Sequence, residues 1–215
     1  NEFNYWENVS SGISSANQIL SEKEFNKWNH SEFSLDQANT HHLLRDIHTI
    51  YNTQVTDVFL TSLSLSLQEF TGQKDHYITL EGHGREAIFP DMDINNTMGW
   101  FTTMYPVKLS NSDDSLSTLT RIKDMIREIP NNGFGYGALI GYTEQELPKI
   151  SFNYLGQFNS QESSDNHSWN FSQNKGGSPI AKENKDTNLL SINCGIIEEQ
   201  LHFSIGGNLT PEQLS

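Results

Sequence analysis

Leu80-Glu81-Gly82-His83-Gly84-Arg85-Glu86 is the stretch on which the reading of this chain turns. It follows a short run with strand character, His76-Tyr77-Ile78-Thr79-Leu80. Two glycines flank one histidine, and two carboxylates and a guanidinium fall within six positions. Glycine lets the backbone turn sharply and come close to a ligand. A carboxylate just past a strand end, on a glycine-loosened loop, is placed for proton chemistry. A plainer reading fits the same spacing: a polar turn held by a structural Arg85–Glu86 pair. The pattern alone leaves both open.

Outward from this stretch, the chain has 215 residues, enough for one domain with a real core. Its hydrophobic share, 34%, is below that of most compact domains. Asn, Ser and Thr make up the difference. The net charge of −14 argues against nucleic acid or an anionic membrane as partner. No apolar run reaches the length of a membrane span, and no signal-peptide pattern opens at Asn1. One cysteine, Cys194, excludes an internal disulfide and fits a reducing cytoplasm. Sequons such as Asn8-Val9-Ser10 are expected by composition, so no glycosylation is read from them.

Before the central stretch, residues 1–29 are polar with scattered aromatics. Ser34 with Gln37 has capping-box spacing, and Leu35, Ala38, Leu43 or Leu44, Ile47 and Ile50 follow with roughly helical period, which predicts a helix opening at Ser34. Thr56 is the expected cap of a second helix through Phe70, closed by Gly72. The alternation Leu63-Ser64-Leu65-Ser66-Leu67 also fits a strand, and the capping residues favour helix.

After the central stretch, Thr97 to Leu109 is rich in β-formers and reads as a strand, with Trp100 and Phe101 facing a core. Ser112 to Ile129 is the clearest amphipathic helix, with Leu116, Leu119, Ile122, Ile126 and Ile129 as its stripe and Pro130 as its stop. Gly133-Phe134-Gly135-Tyr136-Gly137 has no strand before it, so a phosphate-cradling loop fails its context test. A flexible turn with close backbone packing fits better, followed by a short helix from Ala138 to Tyr142. Ile150 to Phe158 reads as a strand, and 159–188 as a long polar loop. Leu189 to Ile197 and Gln200 to Gly206 form a hairpin turning at Glu198-Glu199. Thr210-Pro211-Glu212-Gln213 announces a helix that the chain does not complete before Ser215.

Five of these stretches, in this order, resemble the epimerization domains of non-ribosomal peptide synthetases. Glu81 to Glu86 reads EGHGRE, like a signature of that family. Asp57 to Leu63 loosely resembles its D-x-L-L-x-A helix, and Thr97 to Val107 its TVGWFTxxYPV. Pro130 to Gly137 resembles PxxGxGYG, and Phe152-Asn153-Tyr154-Leu155-Gly156-Gln157 resembles FNYLGQ. The resemblance covers the C-terminal half of such a domain. It implies an α/β fold: the C-terminal lobe of a chloramphenicol-acetyltransferase-like two-lobe fold, with a mixed sheet flanked by helices over residues 1–215. Residues 1–30 would then be a segment leaving the N-terminal lobe, and 159–188 an excursion that latches the lobes.

The resemblance implies L-to-D inversion of an aminoacyl or peptidyl α-carbon. The group hangs as a thioester on the 4'-phosphopantetheine of a carrier protein, and the domain holds no metal and no cofactor of its own. By resemblance Glu81 is the catalytic carboxylate, with Asn153 and Tyr154 lining the site and Tyr154 a candidate donor to the enolate oxygen. His83, Arg85 and Trp100 are candidate substrate-binding residues. The partner histidine belongs to an HHxxxDG motif in the N-terminal lobe. His41-His42-Leu43-Leu44-Arg45-Asp46 imitates that motif, but Ile47 replaces its glycine and helical register places it on one continuous helix. It is expected to be non-catalytic, with a local His42–Asp46 contact.

Two further readings compete. One is the same lobe of a condensation domain, which forms peptide bonds. The other is a non-catalytic lobe that docks a carrier protein. EGHGRE and FNYLGQ favour epimerization. On that reading Glu81, Asn153 and Tyr154 gather at an open groove, and the isolated chain is inactive.

Overall fold

The computed structural model describes residues 2–21, 27–87, 91, 93–142, 147–158, 181, 184 and 187–214. Their centre is a six-stranded mixed sheet in the order β1-β6-β5-β4-β2-β3. The strands are β1 (Asn29–Leu35), β2 (Asp75–Gly82), β3 (Thr103–Ser110), β4 (Ile150–Phe158), β5 (Leu190–Ile197) and β6 (Gln200–Gly207). β2, β4 and β5 run parallel, and β3, β6 and β1 are antiparallel to their neighbours.

Alternation along each strand sends one set of side chains into a single core. Ile78 and Leu80 of β2, Val107 and Leu109 of β3, Phe152 of β4, and Ile192 and Ile196 of β5 are buried there. They meet helix α5 (Val55–Thr71) through Phe59, Leu60 and Leu67. The Phe59 ring stands 6.4 Å from Phe152 and 5.8 Å from Phe203. Each such side chain, taken fully out of water, contributes about 1.5–3 kcal/mol. Helix α6 (Ser115–Glu128) adds Leu119 and Ile122.

Corrections to the sequence reading fall where distant pairing overrides local pattern. Ser34 lies in β1 and does not open a helix. β1 pairs with β6, Phe33 opposite Phe203 and Leu35 opposite Leu201, and the two phenyl rings stack at 4.6 Å. The helix cap is Asp36, whose carboxylate accepts from Asn39 N at 2.7 Å. α3 (Gln37–His41) then runs through a π-helical turn (His42–Asp46) into α4 (Ile47–Tyr51). At α5 the cap is Gln54, not Thr56, in a reciprocal box with Asp57, and Gly72 closes the helix at φ 75°. α6 is capped by Asp114. Its Leu116 is exposed, and Thr118 takes a buried place instead.

The 1–29 region holds α1 (Glu2–Ser10) and α2 (Ile13–Ser21), and Trp6 is wholly buried against Tyr105 and Tyr136. β3 begins at Thr103, six residues later than the sequence pattern suggests. The short helix is α7 (Tyr136–Leu139), earlier than expected. β4 and the β5–β6 hairpin match the reading, and Glu198 and Glu199 turn with φ of 50° and 64°. α8 (Pro211–Leu214) is one turn, with Thr210 N donating to Gln213 Oε1 at 2.8 Å. The excursion read at 159–188 falls almost wholly outside the described residues. No helix among the described residues is long and apolar enough to cross a membrane.

Candidate active site

Glu81 is the next-to-last residue of β2. Ile78 and Leu80 face the α5 core, so alternation turns Thr79 and Glu81 to the opposite face. Thr79 pairs in register with Ser151 of β4, which brings Asn153 beside Glu81 on that face. Asn153 Nδ2 donates to Glu81 Oε2 at 3.0 Å. The Glu81 carboxyl is exposed, yet partial desolvation at the sheet raises its pKa above the ordinary carboxylate value.

The loop that follows is held by its own side chains. Gly84 has φ 66°, and a Cβ there would stand 1.6 Å from the Phe101 carbonyl oxygen, so only glycine fits. Arg85 N donates to His83 Nδ1 at 3.0 Å, so Nδ1 is the unprotonated ring nitrogen. His83 Nε2 meets Glu86 Oε1 at 3.2 Å, and Asn132 Nδ2 donates to Glu86 Oε2 at 3.0 Å. This last bond ties the Glu81 loop to the glycine-rich turn Pro130–Gly133, where Asn132 is left-handed at φ 49°. Beneath lies Tyr105, whose hydroxyl is pushed up to about 12, first by burial and then by Glu86 and Tyr5. A Cβ on Gly133 would enter the Tyr105 ring at 2.0 Å.

The other candidates separate. Arg85 does not orient Glu81. Its guanidinium donates to the carbonyls of Ile94, at 2.5 Å, and Gly99, at 3.5 Å, and lies 4.4 Å over the Phe101 ring. These contacts hold 97–102 off the ladder, which explains the late start of β3. Trp100 is not a core residue; it is 91% exposed on that loop. His83 is exposed beside Glu86.

Tyr154 requires the clearest correction. It follows Asn153 on a strand, so its ring points to the opposite face of the sheet. There it packs edge-on to Phe59 at 5.4 Å, and burial raises its hydroxyl pKa. The expected cluster of three is therefore a pair, Glu81 and Asn153. The pair stands on the exposed sheet face away from α5, where Met104, Leu155 and Ile197 are also exposed; the groove on that face is walled by Leu155, Asn193, Ile197, His202 and Ser204, and Glu81 and Asn153 do not line it. Among the described residues no group of three or more His, Cys, Asp or Glu side chains is disposed to hold a metal.

Two features of the site are not apparent from the sequence pattern. Asn132 has no evident role in its turn until the bond to Glu86 is seen, although Asn-Asn-Gly is a signal for left-handed backbone. The polar alternation Ser191, Asn193, Gly195 on β5 is the signal that marks the open face.

The mixed sheet with its helical layer is the architecture of chloramphenicol-acetyltransferase-like lobes. The chain belongs to the condensation domain family, whose model matches residues 1–206. It is 39% identical over 193 residues to a plipastatin synthase of Bacillus subtilis, covering 85% of this chain and 8% of that protein. It is 40% identical over 167 residues to bacitracin synthase 2 of Bacillus licheniformis, covering 73% of this chain and 6% of that protein. Among solved structures it is similar to the epimerization domain from the third module of tyrocidine synthetase B. That likeness has a TM-score of 0.76 and 27% identity over 99% of this chain and 54% of the other. A condensation domain from a Monacolin K polyketide synthase shares the fold, with a TM-score of 0.68 and 16% identity over 100% of this chain and 52% of that one. The chain thus spans about half of these solved proteins and under a tenth of the synthetases.

Proposed function

We propose that this chain supplies the carboxylate half of an epimerization site. It inverts the α-carbon of an aminoacyl or peptidyl thioester carried on the phosphopantetheine of a carrier protein. The observation that carries the reading is Glu81, a carboxylate with a raised pKa on an open sheet face, oriented by a neutral amide. The EGHGRE and FNYLGQ stretches and the likeness to a solved epimerization domain support it.

The chemistry follows from the geometry. Ionised Glu81 takes the α-proton, and the C–H electron pair moves into the thioester carbonyl to give an enolate. Asn153 has two N–H bonds and gives one to Glu81. The other is on the same face and can donate to the enolate oxygen. A second acid then returns a proton to the opposite side of the α-carbon, restoring the thioester with inverted configuration. That donor stands across the substrate from Glu81, and we assign it to the histidine of an HHxxxDG motif in a partner lobe. On this account the chain alone does not invert its substrate.

Chiral analysis of the released acyl group tests the proposal. A protein joining this chain to the partner lobe, given a carrier loaded with the L form, is expected to yield the D form. An amide product formed only with an amine acceptor, and no D form, would assign the chain to condensation.

A further inference from the structure

Asn131, Asn132 and Gly133 stand in succession at φ 46°, 49° and 81°. Among the described residues no other three consecutive positions are left-handed. Such a conformation is ordinarily visited by single residues, glycine most easily and asparagine next. Glu198 and Glu199 are also left-handed, but they form a two-residue turn between paired strands, which dictates that geometry. No paired strands flank 131–133. Strain of this kind persists only where surrounding contacts hold it, and it gathers at functional sites.

Two distant carboxylates supply the hold. Asn131 Nδ2 donates to Glu2 Oε2 at 3.0 Å, and Asn132 Nδ2 donates to Glu86 Oε2 at 3.0 Å. The partners are 129 and 46 residues away in the chain, so neither bond belongs to the turn's own local chemistry. Each carboxylate is fixed through its other oxygen. Glu2 Oε1 accepts from Nε1 of the buried Trp6 at 3.2 Å, and Glu86 Oε1 meets His83 Nε2 at 3.2 Å. The turn also reaches the residue after Glu81. A Cβ on Gly82 would lie 3.6 Å from the Asn132 carbonyl oxygen and 3.5 Å from the Tyr105 ring. Tyr105 carries Gly133 on its ring and faces Trp6 at 6.0 Å. Helix α1, the left-handed turn and the end of β2 therefore form one connected body.

The end of β2 needs such a hold. Its register with β4 covers only Thr79 and Leu80. At Glu81 and Gly82 the ladder continues on one side alone, to Met104 and Thr103 of β3, and β3 itself begins at Thr103. We propose that Asn131 and Asn132 are positioning residues, through which helix α1 fixes the end of β2 and so aims the Glu81 carboxylate. Their effect on turnover rests on the epimerization reading of Glu81. A general base displaced by about 1 Å can lose roughly 100-fold in rate, so a brace at this point is worth its strain.

Asn132→Gly separates the amide from the backbone. Glycine takes φ 49° freely, so the variant keeps the turn and loses only its hold on Glu86. In the two-lobe protein with a carrier-bound L-thioester, it is expected to lower kcat about tenfold while KM changes less than about twofold. Asn131→Gly, which releases Glu2, should lower kcat about threefold. Asn132→Gly combined with Glu86→Ala should be no slower than Glu86→Ala alone, because both cut one contact. An unchanged kcat in Asn132→Gly, a loss confined to KM, or multiplying losses in the double variant overturns the brace.

A second measurement needs no turnover. Asn153 lies on β4, across β2 from β3 and the turn, and its side-chain amide donates to Glu81. In the nuclear magnetic resonance spectrum of the 215-residue chain, the Asn153 side-chain amide signals are expected to move in Asn132→Gly and, by less, in Asn131→Gly. Signals unmoved in both variants overturn the brace, even where the melting temperature has fallen. Moved signals, together with no D form from the unsubstituted two-lobe protein, would uphold the brace and overturn the epimerization reading alone.

Discussion

The HHxxxD turn and the EGHGRE stretch both set histidine close to carboxylate, and their backbones give them opposite characters. In the π-helical turn, His42 Nδ1 meets Asp46 Oδ2 at 2.5 Å, with both side chains largely exposed. The hydrogen bond from His42 holds the Asp46 carboxyl below its usual range, helped by the nearby charges of His42, His41 and Arg45. At the end of β2, Glu81 is held by the neutral amide of Asn153, and desolvation pushes its pKa up. A carboxylate already satisfied by an exposed histidine has little tendency to take a proton. One raised toward neutrality is the better general base. On the proposed reading the HHxxxD letters, spent on an exposed helical pair, carry no site, whereas the EGHGRE letters leave the end of a sheet strand where a substrate can approach. Residue identity proposes chemistry, and backbone context decides it.

The contrast breaks most sharply at Glu81. Glu81→Gln in the two-lobe protein is expected to lower inversion about 100-fold or more, the usual contribution of a general base. Near-normal turnover would remove the distinction between the segments. The same variant probes stability with a defined sign. The folded Glu81 carboxyl binds its proton more tightly than the unfolded one, whose pKa is about 4.3. Its ionisation therefore opposes folding as pH rises through the interval between the two values, and Glu81→Gln should melt at an equal or higher temperature at pH 7.

The glycines beneath the site sharpen the comparison next. Gly84→Ala and Gly133→Ala each force a Cβ into occupied space at positive φ, and each is expected to cost about 2 kcal/mol. Gly72→Ala, also at positive φ but with open space around it, should cost about 1 kcal/mol. Thermal unfolding of the three variants reads this order. Asn153→Ala comes after these. It removes a donor to the ionised carboxylate, so the Glu81 pKa rises further and the acidic limb of the pH–rate profile moves to higher pH. The plateau rate should fall about tenfold with the loss of orientation. The smallest effect belongs to the other segment. His41→Ala with His42→Ala removes an exposed pair, so stability should change by no more than about 0.5 kcal/mol and turnover should persist.

How far the sequence reveals this molecule depends on how local the cause is. β4 and the β5–β6 hairpin are legible because alternation and turn residues suffice to specify them. β1 is not, because its strand character comes from pairing with β6, some 170 residues away in the chain. Ser34 consequently imitates a helix cap. The start of β3 is hidden in Arg85, which draws the 94 and 99 carbonyls toward itself. Within the site, Glu81 stands out by its setting between a strand and two glycines, and Asn153 by its motif. Tyr154 is easily grouped with them because a motif is read as adjacent letters, and adjacent residues on a strand face opposite ways. Its ring against Phe59 is the ordinary consequence.

α-Proton exchange tests the role of Glu81 most directly. The carrier-bound L-thioester is placed in deuterium oxide with the two-lobe protein and no amine acceptor, and deuterium at the α-carbon is followed by mass spectrometry alongside chirality. Deuterium is expected to enter as the D form appears, with both processes lost in Glu81→Gln. A thioester that keeps its α-hydrogen and its L configuration, or exchange that proceeds unchanged in Glu81→Gln, would contradict it.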